Sequence, residues 1–288
     1  LTAVQDGRFK TACFSLSFLR PLCEGEAAMN ALLPSVLLRG SEKTPSIRAI
    51  AERLDELHGA SAGALVRKKG EIQLTGLFAD CLEDQYAGEA VFSRLLDFVS
   101  ELLFCPQTEN GAFLPELVRQ ERENLRNAMH GVLDDKGAYC EQQLLRTMCR
   151  GERYACGRLG EPEALDKIDA HTLWAHDKSV LASSRVALFY LGSKSAEEAE
   201  ALLRPLLAHL PRRACVPVGT APGPRPQALR RVSETMPLAQ SRLSIGFRTD
   251  VTLQSVQYPV MLLLNAMLGG GEQNRLYTVV RGQKALCY

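Results

Sequence analysis

Residues 29–41 read Met29-Asn30-Ala31-Leu32-Leu33-Pro34-Ser35-Val36-Leu37-Leu38-Arg39-Gly40-Ser41. The stretch is apolar until its basic end and falls within a helix expected from about Glu26 to Arg39. Pro34 has no backbone N–H, so a kink or interruption is expected there. Upstream, Phe14, Leu16 and Phe18 alternate with Ser15 and Ser17, the pattern of a half-buried strand over 8–18. A turn around Pro21 to Glu24 joins that strand to the helix.

Downstream, Thr44 is placed to cap a helix with Pro45 at its first position. Ile47, Ile50, Ala51, Leu54 and Leu57 recur at helical spacing, and Gly59 ends the run. Residues 62–79 read as a hairpin turning at Lys69-Gly70. Long amphipathic helices are expected over Leu82–Leu103, Leu114–Met129 and about Lys136–Cys149. Residues 151–167 look irregular. Asp169 is a candidate cap for a helix to about Val180, and Val186–Leu191 is a strand. Ser195 with Glu198 three residues on forms a capping box for a helix to Leu210. This order predicts an α+β fold, an antiparallel sheet with helices packed on it.

Residues 211–237 carry Pro211, Pro217, Pro222, Pro224, Pro226 and Pro237 among five arginines. That composition reads as a solvated inter-domain linker rather than a basic docking strip. After it the pattern restarts. Leu243, Ile245 and Phe247 alternate as a strand, and Tyr258–Leu268 is an apolar helix ending at Gly269-Gly270-Gly271. The strand-to-glycine spacing repeats that of residues 14–40, so the fold is expected to be duplicated as two related domains, the second truncated. The expected division is 1–210, linker 211–237, and 238–288 as the start of the second domain. The chain begins on Leu1 and ends inside an element at Tyr288, as a piece of a longer protein would.

The 288 residues can bury a sizeable core, and a net charge of +1 gives no electrostatic reason for a nucleic-acid or anionic-membrane partner. No apolar run reaches the length of a membrane span, and residues 1–12 lack the apolar core of a signal peptide. The nine cysteines are odd in number and include no C-x-x-C pair, which fits reduced thiols in a cytoplasm.

The stretch at 29–41 resembles the first active-site helix of the insulinase/pitrilysin metallopeptidases, which carries H-x-x-E-H ahead of an apolar run, a basic residue, Gly and Ser or Thr. Supporting segments are Leu54-Asp-Glu-Leu-His-Gly-Ala60, the Glu-rich helix at 116–129, and the run from Gly270 through Arg281 to Tyr288. That last run is similar to a second-domain signature, with Asn274 in place of Ser and Gly282 in place of Glu. Aligned on Arg39-Gly40-Ser41, the two histidines fall on Ala31 and Ser35 and the glutamate on Pro34. The third ligand, a Glu seven residues after another Glu, falls on Ala128, with Glu121 as the retained partner. A zinc site of this kind needs two imidazoles, a carboxylate and an open water position. None of the four positions can supply one, so no catalytic residue, no metal and no cofactor is assigned, and zinc is expected only in a partner subunit.

His58, His130, His171, His176 and His209 form no ligand pattern, and His171 and His176 fall on different sides of a helix. Ser35 and Cys13 have no base nearby in sequence. Gly269 to Gly271 lacks the phosphate-loop pairings and reads as a turn between helices. The resemblance makes Arg281 and Tyr288 candidate peptide-binding residues. Leu32–Gly40, with Asp135-Lys136 and Tyr139, is similar to a non-catalytic bacterial subgroup associated with modification of elongation factor P. The resemblance thus implies a catalytically silent subunit, forming a dimer with a zinc-bearing homologue or with itself and contributing chamber wall and peptide contacts. An active zinc peptidase with an unrecognised metal site and a pure interaction module are the alternatives.

Overall fold

The computed structural model describes residues 1–210, 223, 228–237, 239–270 and 273–286. The chain divides into two compact units, Leu1–Ser244 and Ile245–Tyr288. The strands are β1 (Thr2–Gln5), β2 (Thr11–Pro21), β3 (Ser61–Lys69), β4 (Ile72–Leu82), β5 (Thr108–Glu109), β6 (Ala112–Phe113) and β7 (Arg185–Gly192). The helices of the first unit are α1 (Glu24–Leu37), α2 (Ile47–Asp55), α3 (Asp84–Ala87), α4 (Val91–Phe104), α5 (Pro115–His130), α6 (Lys136–Met148), α7 (Pro162–Leu165), α8 (Ala170–Ser183) and α9 (Ala196–Ala208). The second unit contains α10 (Tyr258–Gly269).

Five strands form one sheet in the order β1-β7-β2-β4-β3, antiparallel except where β1 runs parallel to β7; β5 and β6 make a separate small hairpin. The alternation read from residues 14–18 sets the layers. Phe14, Leu16 and Phe18 of β2, Leu77 and Ala79 of β4, and Leu188 and Tyr190 of β7 are buried. They meet the apolar faces of α1 and α4, where Phe92 stacks edge-on against Phe14 at 5.9 Å and Tyr190 at 5.2 Å. Each such side chain contributes about 1.5–3 kcal/mol by leaving water. This is the α+β architecture expected from the sequence.

Several elements differ from expectation. β1 has four residues and its strand pattern is too short to stand out. Ser46, not Thr44, caps α2, accepting from the Ala49 N–H at 3.1 Å. Thr44 is engaged elsewhere, its hydroxyl donating to Glu101 Oε1 at 3.1 Å. The helix expected over 82–103 is broken: β4 runs to Leu82, α3 is one turn, and Gly88 in the left-handed region (φ +74°) separates it from α4. Leu243, Ile245 and Phe247 form no strand and are exposed, because a strand needs a ladder partner and none pairs with them among the described residues. Most of the expected linker lies outside the described residues.

Pro34 neither breaks nor ends α1, which is continuous over Glu24–Leu37. Proline at this position removes the N–H that would bond the Asn30 carbonyl four residues back. The Thr75 hydroxyl of β4 donates to that carbonyl instead. The sheet supplies the bond that the helix lacks.

Candidate functional site

The expected zinc positions sit on two helices that pack together. Ala31, Pro34 and Ser35 are on α1; Ala128 is on α5. Ala31 is 3% exposed and Pro34 is buried, while Ser35 is half-buried and Ala128 exposed. The retained framework is close by. Arg39, just beyond α1, makes an ion pair with Glu121 of α5, and Asn124 donates to the same carboxylate oxygen at 3.1 Å. Glu121 is 6% exposed. The carboxylate that the sequence retains is therefore committed to joining α5 to the end of α1.

A neutral hydrogen-bonded network lies beneath α1. Asn30 Nδ2 donates to Gln73 Oε1 at 2.9 Å, and Gln73 Nε2 donates to the carbonyls of Ala27 (3.0 Å) and Arg158 (2.8 Å). His176 Nε2 lies 2.8 Å from Asn30 Oδ1. Because that oxygen can only accept, Nε2 carries the proton. Burial lowers the His176 pKa to about 4, with Glu26 opposing and Arg20 adding to the effect, so the ring is neutral. Its neighbour Asp177 is 2% exposed, and its Oδ2 has no hydrogen-bond partner among the described residues. Burial raises its pKa to about 7, against a smaller pull downward from Lys178. Sequence reading missed this network. Its one visible signal was polar Gln73 and Thr75 at the core-facing positions of β4.

The remaining histidines have local structural roles or lie at the surface. His58 pairs with Glu89 at 2.9 Å, His209 stacks on Phe104, His130 ends α5, and His171 is exposed while His176 is buried, as the spacing predicted. Among the described residues no group of three or more His, Cys, Asp or Glu could hold a metal ion. The Cys13, Cys81 and Cys156 thiols are all raised by burial, Cys81 to about 12 and Cys156 to about 11, which works against thiolate chemistry. In the second unit Arg281 sits over the Tyr277 ring at 4.7 Å. Tyr288 lies outside the described residues.

The sheet offers a second feature. Among the described residues β3 pairs with β4 alone, leaving its outer side as a free edge. The ladder closes at Lys69–Ile72 around two turn residues, so Ser61, Gly63, Leu65, Arg67 and Lys69 bond to β4. Ala62, Ala64, Val66 and Lys68 then direct their backbone groups outward. The next ladder agrees: Leu22 N donates to Glu71 O at 2.8 Å, so odd-numbered β4 residues bond toward β2.

Residues 167–288 match the family model described as "Peptidase M16 inactive domain". Over 287 residues the chain is 28% identical to the "Probable inactive metalloprotease YmfF" of Bacillus subtilis (strain 168), spanning 99% of this chain and 67% of that protein. The crystal structure of a conserved protein from Enterococcus faecalis V583 superposes with a TM-score of 0.90 at 27% identity, covering 99% of this chain and 68% of that one.

These likenesses make the chain an inactive M16-type protein.

The expectation from the sequence was of the same kind, with Ala31, Pro34, Ser35 and Ala128 at the positions of the zinc ligands and general base. An M16 inactive domain from Pseudomonas fluorescens has the same fold, with a TM-score of 0.66 at 18% identity over 99% of this chain and 66% of that one. The chain thus spans about two thirds of the length of these three proteins. No helix among its described residues is long and apolar enough to cross a membrane.

Proposed function

We propose that this M16 protein is a catalytically silent subunit that pairs with a zinc-bearing homologue and supplies chamber wall and peptide contacts to the joint assembly. The observation that carries the reading is the combination of a preserved framework with vacated chemistry. Arg39, just beyond α1, pairs with Glu121 inside α5, while the expected ligand and base positions hold Ala31, Pro34, Ser35 and Ala128. Among the described residues no group of three or more His, Cys, Asp or Glu could hold the metal that such chemistry needs.

What they do provide is a backbone edge. An extended peptide laid along β3 would add a strand, exchanging bonds with the outward groups of Ala62, Ala64 and their neighbours, a mode that fixes the main chain while tolerating many side chains. Arg281 and Tyr288 belong to this proposal as peptide contacts from the second domain. The expected domain division, with residues 238–288 opening a repeat of the first fold, belongs to it as well.

The test is reconstitution. The purified chain is mixed with a zinc-bearing M16 homologue from the same organism, and hydrolysis of an unfolded model peptide is compared with that by the homologue alone. Faster hydrolysis by the pair, lost when the homologue's zinc motif is mutated, supports the proposal. Hydrolysis no faster than that of the homologue alone removes it.

A further inference from the structure

The free edge of β3 is not open along its whole length. A strap formed by residues 153–158 passes its C-terminal end. Arg158 Nη1 donates to the Val66 carbonyl at 3.3 Å, and Val66 is one of the four residues whose backbone groups point outward. One rung further, Lys68 Nζ donates to the carbonyls of Tyr154 (2.5 Å) and Cys156 (2.9 Å) and lies 4.0 Å from the Tyr154 ring. Ala62 and Ala64 have no such cover: no hydrogen bond from the strap, or from any other segment outside the ladder, reaches them among the described residues.

The strap is fixed in place by contacts that do not involve the Arg158 side chain. Cys156 is buried against Leu22 and Ala27 at the start of α1. The Arg158 carbonyl accepts from the buried Gln73 amide at 2.8 Å. Gly160 lies in the left-handed region (φ +79°), where an added Cβ would sit 2.6 Å from the Ala28 nitrogen, so the chain must run tight against α1 there. The Arg158 guanidinium, by contrast, projects from an exposed residue onto the edge.

We propose that the strap ends the docking edge of β3 after Ala64, and that Arg158 is the positioning residue that sets this limit by occupying the carbonyl of Val66. The inference rests on the peptide-docking reading above. It adds that the edge measures peptide length: an extended peptide bonds to Ala62 and Ala64 and must displace a guanidinium to gain the next rung. The selectivity is for short stretches of accessible main chain, largely blind to side chains.

The experiment uses the full chain and blocked peptides of alternating Thr and Val, three, five and seven residues long. Affinity is measured by calorimetry and backbone protection by amide-resolved hydrogen exchange. In the unaltered protein, added peptide should slow exchange at Ala62 and Ala64 but not at Val66, with little gain in affinity beyond five residues. In Arg158→Ala, protection should extend to Val66 and the seven-residue peptide should bind about threefold tighter, the worth of one weak exposed hydrogen bond. Arg158→Lys keeps a donor and should restore the shorter footprint. If Val66 is already protected in the unaltered protein, or if Arg158→Ala leaves the footprint unchanged, the strap does not set the limit although the edge binds peptide. If no peptide protects any β3 amide in either protein, the docking reading itself fails and takes this inference with it.

Discussion

Asp177→Asn should change how stability depends on pH, and the structure sets the size of the change. Asp177 is 2% exposed with an unpartnered Oδ2, and burial raises its pKa from 3.8 to about 7. Between these values the folded chain holds a proton that the unfolded chain has released, so the stabilisation is fully present below pH 3.8, falls progressively above it and is gone once pH has risen through 7. From pH 5 to pH 8 the loss is about 3 kcal/mol. His176, next in sequence, acts in the opposite direction. Its pKa falls from 6.5 to about 4, so the unfolded chain takes up a proton that the folded chain refuses, and stability is lost as pH falls through 6.5. Over the same interval that contributes a gain of about 2 kcal/mol toward pH 8. The two nearly cancel, and the unaltered protein should be flat within about 1 kcal/mol between pH 5 and 8. Asn at 177 cannot titrate, so the variant should become about 2 kcal/mol more stable at pH 8 than at pH 5. The cost of burying the amide shifts the whole curve without tilting it. Urea unfolding can follow this through Trp174, the chain's one tryptophan, which packs edge-on against Phe113 at 5.2 Å. Parallel profiles for the two proteins would refute the reasoning.

Thr75→Val should cost about 1–3 kcal/mol, because it leaves the buried Asn30 carbonyl without a donor. Thr75→Ser keeps the hydroxyl and should cost less, and equal midpoints for the two variants would rule out the substitute bond. The purified chain, dialysed against metal-free buffer, should contain negligible zinc, and a chelator should leave its melting temperature unchanged. Zinc near one per chain by elemental analysis would return the enzyme reading to first place.

Much of the first unit was legible in the sequence because its signals are local. The alternation at Phe14, Leu16 and Phe18 needs only the period of a strand, and the Ser195–Glu198 box that opens α9 needs only the orphan donors of a helix start: Ser195 Oγ accepts from Glu198 N at 3.2 Å, and Glu198 Oε2 from Ser195 N at 2.8 Å. The failures have tertiary causes. Thr44 looked like a cap until Glu101, 57 residues away, engaged its hydroxyl. Leu82 to Leu103 looked like one helix because the apolar spacing carries across the end of β4, and Gly88 alone does not announce where the helix begins. At the site, the expectation of missing ligands rests on four residue types, Ala31, Pro34, Ser35 and Ala128. The Asn30–Gln73–His176 network was not legible, because it is assembled from α1, β4 and α8. The raised Asp177 carboxyl was equally hidden, since burial is a property of the packed chain.

The bond between Thr75 and the Asn30 carbonyl bears on whether this chain could regain chemistry. Putting glutamate back at position 34 would restore a backbone N–H aimed at a carbonyl that a hydroxyl from the sheet already engages, and would place a carboxylate where the proline ring is now buried. Histidine at position 31 would have to enter a space fitted to a methyl group. Each such substitution alone is therefore disfavoured by packing before any zinc could offset it, and ligands at the expected positions would require several changes at once. The packing of α1 itself thus works against metal ligands at these positions, as a ratchet rather than a switch.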